Sequence, residues 1–303
     1  AKGEIIDPIN PETGKSWGWS DVADLNYDNQ GLRAAMTADM LHWIKNENID
    51  GFRCDVAGNV PLDYWQQAIP QLRKEKNIFM LAEAWEPELL KEGLFDMAYG
   101  WEAHHTMNRI AQGKNTVKDW DKFMSENDIK YSSDDILMNF VDNHDENSWN
   151  GTIRGRLGKG EEAMTALSYV MPGMPLIYSG NEYGLNHSLK FFEKDSIPKT
   201  KGKDWELRAK LGKLKTENTA LNGGKNKAKY TRIKTDDDTN ILAFTREKNG
   251  KKVVYIANFS NNPIKTKVGI KGEYTNYMTG KKMSLNEKQI HSMEPWQYYI
   301  LTE

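Results

Sequence analysis

Three acidic residues, Asp55, Glu83 and Asp145, each close a short, largely apolar run: Gly51-Phe52-Arg53-Cys54-Asp55, Leu81-Ala82-Glu83-Ala84-Trp85 and Phe140-Val141-Asp142-Asn143-His144-Asp145. Carboxylates arriving from strand ends can divide the work of glycoside cleavage. One attacks the anomeric carbon, one exchanges a proton with the glycosidic oxygen, and the third steadies the positive charge that develops. Arg53 and Asp55 are two apart in a β-like run, so their side chains leave the same face, and a guanidinium beside a carboxylate favours its charged form. Glu83, flanked by Ala82 and Ala84 with Trp85 next, would keep a proton in a dry setting, because desolvation raises a carboxyl pKa. His144 and Asn143 offer hydrogen bonds to substrate hydroxyls beside Asp145. Taken singly, each segment has a plain alternative: an Arg–Asp pair ordering a loop, an exposed loop glutamate, a turn held by Asn and Asp. Their succession in one chain is the stronger signal.

Other chemistries find little support. Cys54 is the only cysteine, so an internal disulfide is excluded and a buried packing thiol is expected. His104 and His105 are adjacent, a poor spacing for one metal ion, and no metal site is expected. Neither a Walker loop nor Gly-x-Gly-x-x-Gly occurs, and Ser179 lacks a nucleophile-elbow context. With 41 basic and 43 acidic residues and no basic stripe, nucleic acid is not an expected partner. No apolar run is long enough to span a bilayer, and Ala1 to Asp7 lack a signal-peptide core, which leaves localisation open.

The elements that must carry these residues alternate. After an irregular stretch from Asp7 to Tyr27, Leu32, Met36, Met40, Trp43 and Ile44 recur at helical spacing behind Asp28 or Asn29 as a cap. Strands are expected at 49–56, 77–84, 95–99, 136–141 and 174–178, with helices at 62–75 (interrupted near Pro70), 116–127, 160–170 and 204–218. Such alternation predicts a parallel sheet wrapped by helices, with function at the strand C-termini. From Lys227 on, short β-like runs separated by turn signals predict an all-β antiparallel sandwich. The Asp236-Asp237-Asp238 run reads as a hairpin turn, and Tyr277, Trp296, Tyr298 and Tyr299 as packing residues.

With these motifs on the page, the chain resembles the α-amylase family of glycoside hydrolases, enzymes built on (β/α)8 barrels that act on α-glucans. Gly51 to Asp55 looks like the family's fourth-strand motif, with Asp55 as nucleophile and Arg53 as its partner. Glu83 looks like the fifth-strand acid/base, and Phe140 to Asp145 like the seventh-strand motif, in which His144 contacts sugar hydroxyls and Asp145 stabilises the transition state. Asn143 and Trp85 join the expected substrate contacts. Val22 to Asn26 is similar to the segment closing the family's inserted loop domain, and Pro175 to Gly184 resembles the eighth strand and its loop. The resemblance implies a retaining hydrolase of starch-derived glucans or maltooligosaccharides, with transglycosylation by the same residues and a non-catalytic relative as alternatives.

Two departures stand out. Gly58-Asn59 occupy the place where many members have Lys-His, which bears on leaving-group contacts and on one element of a calcium site; calcium is therefore left open for the complete protein. The family's third-strand Asp…Asn-His motif is absent. The expected fold is a (β/α)8 barrel apparently lacking its first three strands, followed by the sandwich. Its expected division is 1–27 (end of the inserted domain), 28–220 (strands four to eight) and 221–303 (sandwich). Such an arc would expose sheet edges, which a missing N-terminal segment or self-association would cover.

Overall fold

The computed structural model describes residues 6–10, 13–19 and 21–303. The sequence readings at 1–5, 11–12 and 20 lie outside the described residues. Two compact units emerge: the described residues up to Ala84 with Lys91–Phe95, and Trp85–Leu90 with Asp96–Glu303. The expected division near residue 220 falls inside the second unit.

In the first unit, helix α1 (Gln30–Asn46) starts where Asn29 Oδ1 accepts from the backbone N–H groups of Gly31 and Leu32, satisfying donors that no helical turn can reach. Strand β1 (Gly51–Cys54) pairs in parallel with β2 (Phe79–Ala82), Gly51 opposite Phe79 and Cys54 opposite Ala82. Between them, α2 (Leu62–Glu75) buries Tyr64, Trp65, Ala68, Ile69 and Leu72. The expected interruption at Pro70 does not occur. Proline removes the hydrogen bond to the Gln66 carbonyl, but Gln66 and Pro70 both lie on the exposed face, where water can serve that carbonyl and the buried face is undisturbed. Arg33 fastens α1 to α2 through Asp63 at 2.7 Å.

In the second unit, β3 (Met97–Tyr99), β4 (Leu137–Asn139) and β5 (Met174–Pro175) pair in parallel in that order. Around them run α3 (Trp101–Ala111), α4 (Val117–Lys130), α5 (His144–Trp149), α6 (Ile153–Leu157), α7 (Glu161–Val170) and α8 (Lys203–Glu217). The sequence reading missed α3, whose buried Ala103, Met107 and Ile110 do recur at helical spacing, and the short α5 and α6.

The C-terminal part has β6 (Lys229–Arg232), β7 (Ile241–Lys248), β8 (Lys251–Asn258), β9 (Ile264–Thr266), β10 (Gly272–Asn276), β11 (Lys282–Leu285), β12 (His291–Met293) and β13 (Tyr298–Thr302). Six form an antiparallel sheet in the order β11-β10-β13-β8-β7-β6, and β12 pairs with β9. Alternation along β7 divides two cores: Leu242 and Phe244 join a cluster with residues of α3, α4, α7 and α8, while Ile241 and Ala243 join Val268, Tyr274 and Leu285 on the other face. Both faces of β7 are covered, so it reads as a continuous apolar run. Tyr255 donates to the Ala163 carbonyl of α7 at 2.8 Å, and Tyr298 to Glu162 at 2.8 Å. Trp296 is buried against Gly160, where a Cβ would come within 2.8 Å of its ring. Among the described residues, no helix is long and apolar enough to cross a membrane.

Candidate active site

Strand β1 delivers Arg53 and Asp55 to one place. The Arg53 guanidinium contacts the Asp55 carboxylate and also reaches Glu83 Oε1 at 3.1 Å, so one cation bridges the first two acidic motifs. The Glu83 side chain is only 14% exposed, whereas that of Asp55 is 69% exposed. Val56 N–H donates to Glu83 Oε2 at 2.9 Å, Ala57 N–H to the Glu83 carbonyl at 3.2 Å, and Glu83 N–H to the Cys54 carbonyl at 3.0 Å. Val56, whose N–H points at Glu83, adopts the left-handed conformation (φ 43°, ψ 43°). For a β-branched residue this costs on the order of 1–3 kcal/mol, a strain that persists only where surrounding contacts hold it. Cys54 is the buried packing thiol expected of it, and burial pushes its pKa up to about 12.

The third motif is not the loop turn that stood as its plain alternative. Asn143, extended, is the N-cap of α5: its Oδ1 accepts from Glu146 N–H at 2.7 Å, so His144 and Asp145 stand in a first helical turn, where negative charge is favoured. Asn143 is itself buried (1% exposed), and its Nδ2 has no hydrogen-bond partner among the described residues. His144 Nε2 lies 3.4 Å from Asp145 Oδ2.

Beneath that turn lies a buried polar network that the sequence reading missed. Arg156 donates to Asp142 Oδ1 (2.8 Å), the Val141 carbonyl (3.0 Å) and Asn108 Oδ1 (3.0 Å), and Asn181 donates to Asp142 Oδ2 (3.2 Å). His104 reaches Glu146 Oε2 at 3.0 Å through Nε2 and the Phe140 carbonyl at 3.1 Å through Nδ1. Burial, only partly offset by Arg156 and Asn181, pushes the Asp142 carboxyl up to about 6. Burial acts the same way on Glu146, but His104, Arg156 and Asn150 outweigh it and hold that carboxyl below its ordinary range. Asp142 and Glu146 flank the recognised Asn-His-Asp, the one signal that could have revealed them. Nothing in the sequence couples His104, Asn108, Arg156 or Asn181 to it.

Trp85 belongs to the second unit, where its carbonyl accepts from the Tyr131 hydroxyl at 2.6 Å. It helps line a cavity of ≈ 700 Å³ with Tyr99, Trp101, Phe123 and Tyr131. Thus Arg53, Asp55 and Glu83 are brought together in one unit, and Asn143, His144 and Asp145 in the other. Asp237 and Asp238 accept bonds from Thr235, Thr239 and Asn240 within their own turn, and Asp238 also pairs with Arg232. Among the described residues, no three His, Cys, Asp or Glu side chains converge as metal ligands.

The family model of the alpha amylase catalytic domain matches residues 17–252, and that of the alpha amylase C-terminal all-beta domain matches 233–298. This chain belongs to the alpha-amylase family. Among curated relatives, the intracellular maltogenic amylase of Bacillus subtilis is 25% identical over 268 residues, spanning 80% of this chain and 42% of the relative. Alpha-amylase MalA of Haloarcula japonica is 26% identical over 176 residues, spanning 57% of this chain and 26% of the relative. The chain therefore matches less than half the length of either. The solved structure of the noncanonic maltogenic alpha-amylase AmyB from Thermotoga neapolitana superposes with a TM-score of 0.84 at 22% identity, covering 98% of this chain and 71% of that one. The fold class expected from the sequence, parallel barrel strands with helices followed by an all-β domain, is that of the alpha-amylase family.

Proposed function

We propose that this chain carries the catalytic carboxylates of a retaining hydrolase of α-glucosidic bonds in starch-derived glucans or maltooligosaccharides. The observation that carries the reading is the Arg53 guanidinium shared by Asp55 and Glu83. It ties the nucleophile candidate to the acid/base candidate through one rigid planar group. Asp55, the more exposed, attacks the anomeric carbon as Glu83 gives its proton to the departing glycosidic oxygen, leaving a glucosyl ester on Asp55. Glu83 then takes a proton from water, and the resulting hydroxide equivalent displaces Asp55. Asp145 steadies the oxocarbenium character of both transition states, and His144 holds sugar hydroxyls. A sugar hydroxyl in place of water at the second step would give transglycosylation. The names of the maltogenic relatives support the α-glucan class.

Incubating the chain with 5-fluoro-α-glucosyl fluoride, followed by peptide mass mapping, tests the assignment. The expected result is one glucosyl adduct on the peptide containing Asp55, absent from Asp55→Asn, together with maltooligosaccharide hydrolysis that Glu83→Gln abolishes. An adduct on another carboxylate, or hydrolysis unaffected by Glu83→Gln, overturns it.

A further inference from the structure

Helix α5 carries more than His144 and Asp145. Its buried side is Glu146 and Asn147, so the opposite side presents His144, Asp145, Ser148 and Trp149. Asp145 and Trp149 are four apart, which puts their Cβ atoms roughly 5–6 Å from each other on one face. Trp149 is 60% exposed, and two further rings stand against its indole: Phe191 at 5.1 Å between centroids and Phe192 at 6.3 Å. Phe191 and Phe192 lie 4.9 Å apart, edge to face, and Phe192 is 71% exposed.

This cluster is held in place by the same helix. Asn147 Oδ1 accepts from Leu189 N–H at 2.8 Å, Asn147 Nδ2 donates to the His187 carbonyl at 3.3 Å, and Ser148 donates to the Leu189 carbonyl at 3.1 Å. Asp195 caps the loop by accepting from Lys190 N–H at 3.1 Å. Three large rings are thus kept in water by a loop anchored at two consecutive helix residues. Burying them would have been the cheaper arrangement. A flat ring face with charged groups at its rim suits a glucosyl unit, whose C–H face is apolar and whose edge is ringed with hydroxyls. Lys190 and Glu193, paired at 2.7 Å, supply that rim.

We propose that Trp149, Phe191 and Phe192 form a stacking platform for glucosyl units of an α-glucan chain that continue beyond the bond at Asp145. The proposal rests on the function given above and adds that longer maltooligosaccharides are preferred over short ones. Continuity fixes the occupant: the platform begins one helical turn from a carboxylate assigned to the glucan.

The test compares wild type with Trp149→Ala, Phe192→Ala and the distant exposed control Ile129→Ala. Calorimetric binding of maltoheptaose and maltotriose is measured separately from hydrolysis, and folding is checked by thermal unfolding. The platform predicts that Trp149→Ala and Phe192→Ala each weaken maltoheptaose on the order of tenfold, as expected for loss of one stacked ring. Maltotriose should be affected less, and Ile129→Ala should have no effect. Binding lost in this pattern without any turnover in wild type would keep the platform and sink the catalytic reading. Normal turnover with unchanged chain-length preference in a folded Phe192→Ala protein would do the reverse. Sedimentation covers the rival occupant: a wild-type dimer that Phe192→Ala dissociates, with saccharide affinity unchanged, makes the rings a contact between copies and overturns the proposal.

Discussion

Replacing Arg156 with Met exposes what holds the His144–Asp145 turn in place. The Arg156 and Asp142 side chains are 7% and 1% exposed, so little water can compensate the loss. Removing one partner of a buried ion pair costs about 3–5 kcal/mol, because the other charge is left in a low dielectric. Asp142 already titrates near 6 with the guanidinium beside it, raised by burial from 3.8, a shift equivalent to about 3 kcal/mol. A carboxyl raised by folding is a burden above its folded pKa, relieved as pH falls and it takes a proton. Without Arg156 its pKa rises further, so the cost of Arg156→Met should be greatest at pH 7 and smaller by about 1–2 kcal/mol at pH 5. Urea unfolding of wild type, Arg156→Met and Asp142→Asn/Arg156→Met at both pH values is the assay. The double variant should recover most of the loss at pH 7. A double variant as unstable as the single one, with no pH dependence, would refute this account and assign the cost to lost packing and the bonds to Val141 and Asn108.

Three other outcomes are expected. Lys215, whose amine donates to the Gly173 and Leu221 carbonyls and pairs with no carboxylate among the described residues, is lowered to about 7 by burial and by Arg246. Relative to Lys215→Met, wild type should gain at most about 2 kcal/mol of stability from pH 7 to pH 9, since the unfolded amine binds more protons over that window; a flat difference would mean the carbonyls keep it charged. Gly51→Ala should lose several kcal/mol or fail to fold, because its Cβ would lie 1.9 Å from the Phe79 carbonyl oxygen, while Gly113→Ala, with nothing within 4 Å, should cost only about 1–2 kcal/mol in thermal unfolding. The Cys54 thiol should react with a disulfide reagent at pH 8 only in denaturant, and rapid labelling of folded protein would contradict its burial.

What depends on neighbours along the chain was legible in the letters alone. Apolar spacing marked α1, helical stretches were expected over most of α4, α7 and α8, short apolar runs between turn residues marked β7 and β8, and the three acidic motifs stood in order. Strands β11 and β12 were not legible, since runs such as Lys281-Lys282 and Glu287-Lys288-Gln289 surround short segments that become strands only by pairing with β10 and β9. Pro70 misled for the converse reason: local rules forbid it in a helix, but its position on the exposed face removes most of the penalty. The division of labour at the candidate site was also tertiary. That Arg53 serves Glu83 as well as Asp55, that a left-handed Val56 donates to Glu83, and that Asn143 caps a helix are facts of chain segments meeting in space. Arg156 and Lys215 read as ordinary surface cations in a string of letters. Burial, which depends on what folds over a residue from far along the chain, made one the anchor of a buried carboxylate and set the other against two backbone carbonyls, with no counter-charge among the described residues.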